Sequence, residues 1–292
     1  ERAEDGSGSE QHDVVRQPRR RARRRGPFLP RRLFGRRAAV ALAVLTFEEE
    51  GTQLGVLDRL REPWPEGGTL IGDNVDVRPT ATLLKLLTDD GYAFVRGAIM
   101  RPLLGAPGSL PDWPAFAASW NDLELDQYLE DHARFRRRRH AVYTASADGR
   151  ITREPHQPHY QSREYNALFG GIERWFAPVV PEMGAGASLL TILSFCRTLF
   201  GDLAPSVNQW RMEVHQFRIE AGPGQPGLPT PEGVHRDGVD FVLVLLVERR
   251  NVASGTTTVY DRDRRGLGSF TLTDPFDAAL VDDTRVYHGV TP

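Results

Sequence analysis

Residues 241–247, Phe-Val-Leu-Val-Leu-Leu-Val, are an unbroken apolar run carrying three β-branched valines. A run this short and continuous reads as a strand covered on both faces, so the chain must supply a layer of structure on each side of it. The segments around it set the class. Residues 256–260, 269–273, 278–281 and 284–290 are further strand-like stretches separated by turn residues up to the end of the chain. Upstream, residues 208–219 alternate, with Trp210, Met212, Val214, Gln216 and Arg218 on one face and Arg211, Glu213, His215, Phe217 and Ile219 on the other. Both faces carry polar groups, which suggests that one lines a wet cavity. Many short strands call for a sandwich or barrel, here a mainly β fold with flanking helices of the double-stranded β-helix, jelly-roll, cupin-like kind.

Directly before the buried run stands Gly233-Val234-His235-Arg236-Asp237-Gly238-Val239-Asp240, answered about fifty positions later by Arg285-Val286-Tyr287-His288-Gly289-Val290-Thr291-Pro292. His235 and Asp237 are two apart, so on extended chain both side chains leave the same face, and His288 can complete a set of three. Two neutral imidazoles and a carboxylate on one side of a metal form the donor set of non-heme Fe(II) oxygenases, which leave the opposite positions open. The competing reading is two ordinary polar histidines at strand ends, since eight histidines produce such spacings by chance.

Four phrases in one order carry a resemblance. Val-His-Arg-Asp-Gly-Val-Asp-Phe (234–241), Val-Tyr-His-Gly-Val-Thr-Pro (286–292), Val-His-Gln-Phe-Arg-Ile (214–219) and His-Tyr-Gln-Ser-Arg-Glu-Tyr-Asn (159–166) resemble the Fe(II)/2-oxoglutarate-dependent dioxygenases that include bacterial L-isoleucine 4-hydroxylase and related free L-amino-acid hydroxylases. The likeness spans roughly residues 80–292. It implies Fe(II) on His235, Asp237 and His288, with 2-oxoglutarate as co-substrate and O2 as oxidant. It also implies hydroxylation of an unactivated carbon of a free L-amino acid or cyclic imino acid in specialised metabolism. Arg218, His215 and Thr258 are the expected neighbours of 2-oxoglutarate. Tyr160, Gln161, Ser162, Asn166 and again Arg218 are the expected substrate contacts, because an amino acid needs a cation for its carboxylate and polar partners beside it. A packed loop with no such role is the other reading of 155–170, where His156 and His159 are ligand types set irregularly about Pro158.

The family places an arginine for the distal carboxylate of 2-oxoglutarate on the strand after the second histidine, whereas this chain stops four residues after His288. Arg285 is at an odd offset from His288 and points to the opposite face. With Glu1 in place of a methionine, the expectation is a sequence trimmed at its C-terminus. Two other functions stay open: an oxygenase acting on a carrier-tethered aminoacyl group or a peptide, and a metal-bearing jelly-roll that binds without turnover.

The rest of the chain bears on organisation. Residues 16–37 hold eleven arginines and no acid, so removing them from the net −2 leaves the remainder at −13. That tail, 1–37, cannot bury apolar area against its own repulsion and is expected to be disordered. No reading motif accompanies it, so no nucleic-acid partner is expected. Residues 38–79 read as a helical or linker segment, and 80–292 as the dioxygenase domain. Twin arginines before Ala38-Ala39-Val40-Ala41-Leu42-Ala43-Val44-Leu45 imitate an export signal, but no cleavage site follows and eight apolar residues do not span a bilayer. No other stretch is read as long enough. The single cysteine, Cys196, excludes an intrachain disulfide, and a cytoplasmic small-molecule enzyme is expected. Helical spacing predicts helices from Thr80 to a stop at Gly91, over 113–135, over 172–176 and over 187–200. The run Arg136-Arg137-Arg138-Arg139 reads as a solvated face rather than a substrate contact.

Overall fold

The computed structural model describes residues 37–49, 70–71, 79–106, 108–128, 136–222 and 224–292, all within the unit Gly35–Pro292. The disorder expected for the arginine-rich tail falls outside them, except at Arg37. In chain order the elements are β1 (Arg37–Glu49), β2 (Leu70–Ile71), α1 (Pro79–Asp89), β3 (Tyr92–Val95), α2 (Gly97–Leu103), α3 (Trp113–Ala118), β4 (Glu124–Leu125) and β5 (Arg136–Ser146). Next come β6 (Ile151–Arg153), β7 (His159–Tyr160), β8 (Glu173–Arg174), α4 (Pro181–Gly184), α5 (Ala187–Leu203), β9 (Gln209–Ala221), β10 (Phe241–Arg250), β11 (Thr256–Tyr260), β12 (Gly266–Thr271), β13 (Ala278–Asp282) and β14 (Tyr287–Val290).

The large sheet runs β2-β3-β13-β10-β1-β9-β5-β4, with β6 on β5, and a small sheet runs β12-β11-β14. The continuous apolar run is β10, and the two layers it requires are both present. Leu243 and Leu245 face the helices with Leu193, Leu199 and Phe200 of α5, while Val242 and Leu246 face the small sheet with Val259 and Phe270. Phe94 and Phe270 stack across that second core at 4.8 Å between centroids. This is the expected mainly β, jelly-roll type of architecture with helices backing one sheet.

Several local expectations need correction. Arg37–Glu49 is a strand, not part of a helix, and pairs in parallel with β9 on one side and β10 on the other. A slot between two strands can satisfy backbone on both sides, which outweighs a weak local preference for helix. The helix begun at Trp113 ends at Ala118, because Phe116 and Trp120 are fixed in the core and the chain then turns out to pair β4 with β5; its predicted stretch over 129–135 lies outside the described residues. Residues 172–176 hold a strand, β8, that pairs with β7. The segment Pro181–Leu203 does have the length and mean hydropathy, 1.4, of a membrane crossing. Its Leu189, Ile192, Leu193 and Phe200 are nevertheless fully buried in the first core.

The arginine run is not a solvated face. Strand alternation turns Arg136 and Arg138 inward, 7% and 4% exposed, where they meet the buried Asp126 at 2.8 and 3.5 Å. Arg285 lies in the turn before β14, so its direction is set by its partners rather than by strand parity. Its guanidinium donates to the carbonyls of Leu87, Thr88 and Asp89 and so closes the C-terminus of α1.

Candidate metal centre and its surroundings

The loop from β9 to β10 reaches β14 through one antiparallel bridge: His235 N–H donates to His288 O at 2.9 Å and His288 N–H to His235 O at 3.0 Å. That bridge brings the two imidazoles to 4.6 Å between centroids, both 9% exposed. Asp237 completes the group, with His235 Nε2 at 3.8 Å from Oδ1 and His288 Nε2 at 3.4 Å from Oδ2. Three devices hold Asp237 in place. The Asp283 carboxylate accepts the backbone N–H groups of Asp237, Gly238 and Val239 at 2.9, 2.8 and 3.2 Å. Gly238 has φ +81°, and a Cβ there would lie 2.6 Å from the Tyr165 ring. Gln161 Nε2 donates to Asp237 O at 3.1 Å.

The protonation pattern tests whether a cation fits. His235 Nδ1–H donates to Gly233 O at 3.0 Å, which in the neutral ring leaves the Nε2 lone pair toward Asp237 Oδ1 at 3.8 Å. Two acceptors facing one another across a buried gap need a positive charge between them. Burial works against charge on His235, yet Asp237 and Glu232 outweigh it and raise its pKa. Burial and the His235 charge push His288 down to about 4. Asp283 is driven up to about 7 by burial and by the charge on Asp237, against its three N–H donors. A divalent ion on these three donors would supply the missing charge, and His2Asp is the facial set suited to iron.

A second group brings four ligand-type side chains together: His140 on β5, His159 on β7, and Glu213 and His215 on β9. Glu213 Oε2 lies 2.7 Å from His159 Nδ1, 3.4 Å from His140 Nε2 and 3.8 Å from His215 Nε2. Its Oε1 accepts from Arg211 at 3.0 Å, and Arg138 Nη2 meets His215 Nδ1 at 2.7 Å. A guanidinium only donates, so His215 carries its proton on Nε2, toward Glu213. Burial would raise Glu213, but the N–H donors of His140 and His159 hold it well below the carboxylate range. With Arg138 and Arg211 against it, this group lies in a more cationic setting than the triad and suits a hydrogen-bonded carboxylate better than a second dication.

The expected substrate and co-substrate residues divide. Gln161 reaches the triad through Asp237 O, and Asn166, 4% exposed, supports Gln161 through an Nδ2 bond of 3.3 Å. Ser162 Oγ is buried without a partner, while Tyr160 is on the surface. His215 lies on the inward face of β9. Arg218 does not: it shares the other face with Met212 and Val214, and its Nε lies 2.9 Å from Glu220 Oε1. Thr258 is also turned away, because its neighbour Val259 takes the inward position opposite His288 and its hydroxyl bonds Ser269 at 2.8 Å. Both assignments are therefore corrected by strand parity. Of the two loop histidines, His156 packs against Trp175 and belongs to no group of three ligand-type side chains among the described residues. Asp283, Arg138, Arg174 and Glu213 were missed; parity on β9 pointed to Glu213, and the other three had no spacing to announce them.

Comparisons with known proteins bear on this geometry. A model of the 2OG-Fe dioxygenase family matches residues 117–292. The chain is similar to the 3(1)-hydroxy-L-isoleucine 4-dioxygenase of Pantoea ananatis, 25% identical over 215 residues, which is 70% of this chain and 85% of the relative. Among solved structures it is similar to a bsmA homolog from Methylobium petroleophilum PM1, with a TM-score of 0.66 and 38% identity over 73% of this chain and 84% of that one. IDO from Bacillus thuringiensis shares the fold, at a TM-score of 0.60 and 18% identity over 73% of this chain and 90% of that one.

Proposed function

The chain belongs to the 2OG-Fe dioxygenase family, and from that premise we propose that it hydroxylates an unactivated carbon of a free L-amino acid, using Fe(II), 2-oxoglutarate and O2. The observation that carries the reading is the buried meeting of His235 Nε2, Asp237 Oδ1 and Oδ2 and His288 Nε2, in which two acceptors face each other where a cation belongs. Bound Fe(II) with 2-oxoglutarate supplies the oxidation, coupling loss of CO2 from the co-substrate to insertion of one oxygen atom into a C–H bond. The chain's own residues do the positioning. His235 is locked in the Nδ1–H tautomer by Gly233 O, and Asp283 and Gln161 fix the backbone of Asp237, so the donor set is formed before any ligand arrives. Ile219, Val242 and Leu246 form an apolar wall on the inward face of the large sheet, which helps to exclude water.

A free amino acid is supported by the relative from Pantoea ananatis, whose name places an amino acid as its substrate. The polar interior of β5 and β9 agrees, since a zwitterion needs both signs of partner. The test is to incubate the protein with Fe(II), 2-oxoglutarate and a pool of free L-amino acids, following succinate and a mass gain of one oxygen. Succinate that rises only with all three, and one amino acid gaining oxygen, is the expected result. Turnover confined to a peptide or a carrier-bound aminoacyl group would overturn the substrate class, and the absence of iron-dependent succinate would overturn the activity.

A further inference from the structure

Arg174 on β8 is 2% exposed, and its partners do not account for its charge. Its Nη2 donates to Gln161 Oε1 at 2.6 Å, its Cζ lies 5.7 Å from the Phe176 ring centre, and its Nε is buried without a partner. Each nearby acid is otherwise engaged. Asp126 sits 2.8 Å from Arg136 and 3.5 Å from Arg138, Glu213 is 2.9 Å from Arg211, and Glu232 lies 3.5 Å from His235. Among the described residues no carboxylate comes within ion-pair distance of Arg174. A guanidinium out of water without a counter-charge is strongly unfavourable, so its burial makes sense where an anion joins it. Arg138 differs, because Phe176 and Phe217 cover its two faces at 3.6 and 4.3 Å and Asp126 and His215 meet its edge.

The position of Arg174 says what kind of anion. Gln161 receives Arg174 on its carbonyl and donates its amide to Asp237 O, so one side chain separates the guanidinium from the backbone of a metal ligand. We infer that Arg174 anchors a carboxylate of a ligand in the iron pocket, with Gln161 holding the guanidinium in place. The inference rests on the dioxygenase reading. Both 2-oxoglutarate and an amino acid carry a carboxylate, and a planar guanidinium edge suits either.

The experiment uses Fe(II)-loaded protein under nitrogen, so that binding is read without turnover. Melting temperature is measured with and without 2-oxoglutarate, and then with a pool of the protein L-amino acids added, for wild type, Arg174→Gln and Arg174→Lys. Arg174→Gln should be as stable as wild type or more so in the absence of ligand, because a buried uncompensated charge is gone. It should also lose the stabilisation given by one of the two ligands, equivalent to at least about a tenfold weaker affinity or ~1.4 kcal/mol. Arg174→Lys should recover part of it. Loss of the 2-oxoglutarate response assigns the co-substrate carboxylate, and loss of the amino-acid response assigns the substrate carboxylate. If Arg174→Gln melts lower without ligand yet keeps both responses, Arg174 only braces Gln161 and the inference is overturned. A wild type that responds to neither ligand overturns it as well. The dioxygenase reading fails separately, if wild type releases no succinate in the presence of iron and 2-oxoglutarate.

Discussion

At the scale of single residues, the triad was readable because its chemistry fixes its spacing: two donors two apart on extended chain and a third on a strand that bridges back. Asp237→Ala and His288→Ala should each abolish iron-dependent succinate release with the circular dichroism of the fold unchanged, since each removes one of three protein ligands. Asp283 was not readable, because a carboxylate that collects backbone N–H groups has no sequence signature beyond its own letter. Its Oδ2 accepts from both Gly238 and Val239, so in Asp283→Asn either the amide nitrogen confronts donors there or Oδ1 loses Asp237. We expect that variant to bind Mn(II) roughly 10–100-fold more weakly than wild type, as for other groups that orient a metal ligand. Unchanged affinity would reduce Asp283 to a packing role. Arg218 was misassigned although the signal was present: Trp210, Met212 and Val214 share its parity on β9, and a face that buries against helices cannot also line the cavity.

At the scale of elements, long periodic segments were legible and short ones were not. β10 announced itself by continuous burial, and α1 by Leu83, Leu86 and Leu87 on one side ending at Gly91 with φ +80°. β8 was missed and α3 was drawn too long, since a few residues carry too little local preference to resist what a neighbouring strand offers. The inward arginines of β5 read as solvated because Asp126, which compensates Arg136, lies in a different element. The cap that Arg285 places on α1 gives a prediction at this scale. Arg285→Ala exposes three helix-end carbonyls to water and should lower stability by about 1 kcal/mol. Its affinity for 2-oxoglutarate should be unchanged; a weakened co-substrate would mean that Arg285 serves the pocket instead. β1 offers a second. Because it pairs with β9 and β10 in the middle of the large sheet, removing residues 1–49 should destroy cooperative unfolding, whereas removing 1–34 should not. If the shorter chain melts like the longer one, another segment fills that slot.

At the scale of the whole molecule, the chain carries buried histidines in two groups, and their titration ties stability to pH. Burial is the leading cause that lowers His140, His159 and His215, and it takes His288 to about 4. In the unfolded chain each ring takes up its proton near pH 6.5. Between that value and the lower folded ones the unfolded state therefore binds more protons, and stability falls as pH drops. His235 runs the other way, since its folded pKa is raised and its contribution is present in acid and lost as pH rises through the raised value. Asp283 also runs that way, because a carboxyl raised to about 7 in the folded chain takes up its proton there well before the unfolded chain does, so the whole-molecule slope is a balance of opposed groups. For His288 alone, a shift from 6.5 to about 4 amounts to ~1.4 kcal/mol by pH 5.5, or roughly 3–6 °C in melting temperature. Calorimetry of the metal-free protein at pH 7.5 and 5.5 should accordingly show a difference of about that size between wild type and His288→Gln. His288→Gln removes one of the four lowered rings, so between those two pH values its melting temperature should fall less, or rise more, than that of wild type. An identical pH response in the two chains would show that His288 is charged in the folded state, and the neutral, ligand-ready ring assigned to it would not stand.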